Sequence, residues 1–151
     1  MVLEPIKQLF GKESKGKNIH VSPRVALYLA ALSVISADGT IVTPESNDVE
    51  KIVRGDKKNF EIACQTFSTT SYHDVVELVA RSLSADQQVA LIAILLDLSM
   101  ADGVLVKEEE QIIMAYVTKF GIPAYVFKDL CHYISLKNNF ALFDTAAPSI
   151  L

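Results

Sequence analysis

Two long, mainly apolar stretches organise the chain, Val25 to Ala37 and Val89 to Met100, the second carrying one charge, Asp97. Runs of about 10–14 such residues predict buried helices, because a membrane span needs about 20. The polar positions between them read as helix punctuation. Ser22-Pro23 is an N-cap followed by proline at the first helical position, and predicts a helix to about Ala37 that stops at Gly39. Thr43-Pro44-Glu45 opens a second helix by the same chemistry. Asp56 caps a third, carrying Phe60, Ile62, Ala63, Cys64 and Phe67. Ser71 with Asp74 and Ser84 with Gln87 are capping-box candidates that open two more helices. The one beginning at Ala85 is apolar on most sides and is expected at the centre of the fold. Lys107 to Phe120 is amphipathic and ends at Gly121, and Pro123 starts a last helix to about Leu136. No alternation of β-branched residues is long enough for a strand. The expected fold is all-α, a single domain of about seven to eight helices.

A short acidic segment occurs twice in this order. Ala37-Asp38-Gly39-Thr40-Ile41-Val42-Thr43-Pro44-Glu45 returns 64 residues later as Ala101-Asp102-Gly103-Val104-Leu105-Val106-Lys107-Glu108-Glu109. The same register matches Val25, Ala26, Leu27 and Leu32 to Val89, Ala90, Leu91 and Leu96, giving ten identities in the thirty pairs from Arg24. After it the offset becomes 67, pairing Phe60 and Cys64 with Phe127 and Cys131. Such self-similarity is a supersecondary unit copied, each copy burying its apolar face against the other. The units span about residues 22–67 and 85–136, three helices each, with Ser71 to Leu83 as a bridge. An apolar extension, residues 138–151, is expected to pack back on the domain rather than on another molecule.

Composition narrows the function. Of the 151 residues half are apolar and 21% charged, which suits a packed globular domain. A net charge of −4 argues against sequence-independent nucleic-acid binding, which depends on neutralising phosphates. Glu4 and Pro5 interrupt the N-terminus where a secretory signal needs apolar residues, so a soluble cytoplasmic protein is expected. Cys64 and Cys131 are too few for a disulfide scaffold and read as small buried hydrophobes. His20, His73 and His132 lack metal-ligand periodicity. No nucleophile elbow, P-loop, dinucleotide fingerprint or zinc helix is present, so an enzyme is not expected.

The candidate chemistry lies in the repeated loop. Its Asp-Gly, an aliphatic residue two beyond the glycine and a Glu seven after the Asp match the second half of an EF-hand. The first half is missing, because Val34 and Ser36, or Leu98 and Met100, stand where ligands belong. A standard EF-hand is thereby rejected. One loop offers too few oxygens for Ca²⁺, whereas two packed together would offer Asp38, Glu45, Asp102 and Glu109. The plainer reading is structural: Asp bonds the loop's own amides, Glu caps the next helix, and Gly39 and Gly103 supply a positive φ. Asp97, whose repeat counterpart is Ser33, is a carboxylate on an apolar helix and must be paired, neutral or metal-bound. It lies five residues before Asp102, while Arg24, Arg54 or Arg81 could equally pair with it.

On these residues the chain resembles the tellurite-resistance TerB-like family, which includes the N-terminal part of a membrane-anchored DnaJ-like co-chaperone. The resemblance rests on the Ala-Asp-Gly tripeptide ending an apolar helix, the following Glu and the duplication, and it covers about Arg24 to Leu136. It implies an all-helical domain on a duplicated unit, cytoplasmic stress-response roles exercised through other proteins, and acidic residues that bind a divalent cation. By position these are Asp38, Glu45, Asp97, Asp102 and Glu109. Ser33, where a family member more usually has an acid, disfavours two symmetric sites. No J-domain or transmembrane anchor is present, so the co-chaperone role does not carry over. The expectation is a non-enzymatic TerB-like module whose carboxylates take Ca²⁺, Mg²⁺ or Mn²⁺, with a protein partner of unknown identity and homo-oligomerisation left open. The alternative is a pure interaction domain in which the acidic loops are structural and no metal binds.

Overall fold

The computed structural model describes residues 19–37, 39, 47–100 and 105–146, with only the backbone at 47 and 48. Among them the chain forms seven α-helices and no strand: α1 (Pro23–Ile35), α2 (Asn47–Val53), α3 (Lys57–Thr69), α4 (Tyr72–Ser82), α5 (Ala85–Ser99), α6 (Lys107–Phe120) and α7 (Ala124–Asn138). A 3₁₀ turn, Phe140–Asp144, follows. The described residues include no helix long and apolar enough to cross a membrane.

The caps act as the sequence implies. Ser22 Oγ accepts from the Val25 amide at 3.2 Å, and Asp56 and Ser71 accept from the third residue onward. Ser84 and Gln87 complete a reciprocal capping box. Each bond satisfies an amide that helical geometry leaves without a partner. The cap expected at Thr43-Pro44-Glu45 lies outside the described residues.

Helices α1, α2 and α3 fall in the span expected of the first unit and α5, α6 and α7 in that of the second. The change of offset also has a physical location. Val53 and Val117, both buried, still stand 64 apart. Helix α6 then continues through Thr118, Lys119 and Phe120 before Gly121 reverses the chain at φ +70°. Helix α2 has no such turn, and two left-handed residues follow it, Arg54 at φ +51° and Gly55 at φ +82°. Arg54 and Gly121 are thus equivalent at an offset of 67.

The two copies are not equally placed. Helix α1, not α5, forms the centre: it packs against α2, α3, α4, α5 and α6, and Ala26, Leu29, Ala30 and Val34 are wholly buried. Helix α5 packs against α1, α6 and α7 and leaves Val89 and Ile94 at the surface. Hydropathy alone misleads here, since α5 is the longer apolar helix but has fewer neighbours to cover it. Helix α7 lies outermost, with no buried residue, its Phe127, Leu130 and Ile134 only partly covered by the core. The described part of the C-terminal extension does not pack inward as expected. Phe140 and Phe143 are 78% and 83% exposed.

Candidate functional site

The two helices that precede the acidic loops end in the same backbone conformation. Ser36 and Met100, 64 residues apart, are the C-caps of α1 and α5, with φ, ψ of −92°, 7° and −104°, 11°. Their amides bond the carbonyls of Leu32 and Leu96, which are themselves a repeat pair. Gly39 follows at φ +86°, the left-handed conformation expected of it. On the far side of the second loop Leu105 packs against the core, as an inward anchor should. Glu109 is half-buried in the first turn of α6 beside Glu108 and Glu110, where the helix dipole favours negative charge.

Asp38, Glu45, Asp102 and Gly103 lie outside the described residues, as does Ile41. Asp97 and Glu109 are therefore the candidate ligands whose surroundings are seen. Among the described residues no three His, Cys, Asp or Glu side chains converge as a metal site would need.

Asp97 has an occupied neighbourhood. Its Oδ1 lies 2.9 Å from Lys137 Nζ and accepts from Asn138 Nδ2 at 3.1 Å, both from the last turn of α7. Partial burial alone would raise its carboxyl. The hydrogen bonds from Lys137 and Asn138, with the charges of Lys137 and Lys51, outweigh that and hold it below the usual carboxylate range. The partner is a lysine from α7 rather than an arginine; Arg81 instead donates to the Ile19 carbonyl at 2.8 Å. A group with a lowered folded-state pKa contributes stability above its unfolded pKa and loses it as pH falls through the folded value. Asp97→Asn should therefore remove a small contribution at pH 7 and flatten the acid limb of the stability profile below about pH 4 by the same small amount, because the pair is exposed. Urea midpoints from pH 3 to 7 check this.

Ser33, its counterpart, lives in the opposite environment. It is 4% exposed, its Oγ donates to the Leu29 carbonyl at 2.9 Å and meets Tyr116 Oη at 2.9 Å. Burial pushes the Tyr116 phenol up, so this is a neutral core contact. The cysteines are also plain: burial raises both thiols, with Glu61 adding to Cys64 and Glu110 to Cys131.

Residues 24–131 match the family model described as Tellurite resistance protein TerB. The chain belongs to that family. The matched span opens in the first turn of TerB helix α1 and closes within α7, so it takes in both copies and the bridging helix. No curated protein and no solved structure matches the chain.

Sequence reasoning missed what surrounds Asp97. An open cleft of about 820 Å³ is lined from α1, α2, α5 and α7, and among the described residues Asp97 is its one carboxylate beside Arg24, Lys51, Arg54 and Lys137. Lys51 and Arg54, three apart where the first acidic loop's helix ends, were the available signal.

Proposed function

We propose that this protein is a non-enzymatic TerB module of the cytoplasm, acting in stress response through a protein partner, whose two acidic loops together take a hard divalent cation. The carrying observation is the matched backbone ends of α1 and α5, the helices that precede the loops and pack against each other. A site assembled from two half-loops supplies oxygens that neither offers alone.

The ligands in this reading are Asp38, Glu45, Asp102 and Glu109. Asp97, engaged by Lys137 in a cationic cleft, serves as a tether between α5 and α7. Ser99 supports a polar function at this helix end: it is buried three residues before Asp102, and its Oγ has no hydrogen-bond partner among the described residues. Oxygen donors favour Ca²⁺, Mg²⁺ or Mn²⁺ over softer metals. Calorimetric titration of chelator-treated protein should give saturable heat with one of these ions, about one ion per chain, and lose it in Asp38→Asn/Asp102→Asn. Unchanged binding in Asp97→Asn distinguishes this set from one that includes Asp97. Absence of heat at millimolar ion leaves the pure interaction domain as the reading.

A further inference from the structure

The cleft between α1, α2, α5 and α7 has a chemistry unlike the rest of the molecule. In a chain of net charge −4 it gathers Arg24, Lys51, Arg54 and Lys137, with Asp97 the one carboxylate among the described lining residues. Asp97 engages Lys137, and Arg24 Nη1 leans on Tyr28 Oη at 3.5 Å. Neither Lys51 nor Arg54 forms an ion pair among the described residues; Arg54 Nε donates to the Lys51 backbone carbonyl at 3.2 Å, at the end of α2. Closely grouped cations repel, so their convergence costs energy unless an anion shares the site. The cleft also has an apolar wall of Leu27, Ile52, Ile94 and Leu98. A smaller groove of about 190 Å³ shares Arg24, Leu27 and Ile94 with it and continues over Leu83, Ala90 and Leu91.

Arg54 adds a second observation. Its copy-two equivalent is Gly121, and both residues reverse the chain in the left-handed region that side chains disfavour. Glycine would be easier there. The chain instead carries an arginine at φ +51°, and its side chain lines the cleft. Strain tolerated at a position that delivers a charged side chain to a cavity points to use of that side chain.

We propose that this cleft binds a small soluble organic phosphate, the anion held by the guanidinium groups of Arg24 and Arg54 with Lys51, and the apolar body seated in the adjoining groove. Guanidinium forks match phosphate oxygens two at a time, and several cations suit a dianion better than a monoanion. The cleft volume lies in the range of small-molecule sites. The proposal does not rest on the cation reading, because the residues it uses, Arg24, Lys51 and Arg54, are none of that reading's ligands.

The test uses 1-naphthyl phosphate, inorganic phosphate and 1-naphthol as probes in amide NMR titrations of the full chain. Naphthyl phosphate should shift amides along the cleft-lining parts of α1, α2, α5 and α7, and bind at least tenfold more tightly than either fragment. Arg54→Gly should weaken it at least tenfold without lowering the melting temperature, since glycine accepts that backbone; Arg24→Ala should weaken it similarly. The proposal is overturned if naphthol binds as well as its phosphate, if Arg54→Gly leaves affinity unchanged, if a hexaglutamate peptide binds the cleft more tightly than naphthyl phosphate, or if no probe shifts these amides at millimolar concentration.

Discussion

Ser33→Asp, which writes the second copy's residue into the first, should destabilise the protein by about 3 kcal/mol or more at pH 7, enough to unfold much of it. At position 97 the same carboxylate meets Lys137, Asn138 and solvent. At position 33 it would enter a core layer against Tyr116 and the Leu29 carbonyl, neither of which offers positive charge. The introduced carboxyl would have its folded-state pKa raised. Its penalty is therefore full well above that pKa and shrinks as pH falls through it toward the unfolded value of about 3.9, well below which the group is neutral in both states. Urea denaturation at pH 7 and 4.5 should show this partial recovery, while Ser33→Ala should cost only about 1 kcal/mol at either pH. A stable Ser33→Asp protein at pH 7 would mean that this layer is not dry.

Leu29→Ala should cost about 3 kcal/mol, because the side chain is fully buried in the helix on which five others pack. A sharper internal comparison comes from Val25 and Val89, identical residues at equivalent positions that are 2% and 37% exposed. Val25→Ala should cost about 2 kcal/mol and Val89→Ala no more than about 0.5 kcal/mol. Equal costs would mean that α1 and α5 are equally buried.

These pairs show what the sequence could and could not carry. Caps and breakers are local, so Ser22, Asp56, Ser71, Ser84 and Gly121 marked the helix ends where the structure has them. Repetition is also local, and its slip of three residues falls where α6 runs three residues further than α2 in the same register. Which copy lies inside depends on how many neighbours each helix acquires, a property of the assembled fold. Val25 and Val89 are the same letter with different surroundings. The partner of Asp97 was hidden for the same reason: Lys137 is forty residues distant, and only the packing of α7 on α5 brings it near. The cationic cleft needed four helices to be placed before it could be seen.

The most direct test of the paired-loop cation site is a thermal melt of the full chain in chelator and in saturating Ca²⁺, Mg²⁺ or Mn²⁺. An ion present at about a hundred times its dissociation constant adds about 2.7 kcal/mol to the folded state, or roughly 5–10 °C for a domain of this size. The gain should appear with at least one of the three ions, vanish in Asp38→Asn/Asp102→Asn, and survive in Asp97→Asn. Melting temperatures that agree in chelator and in all three ions would contradict the site.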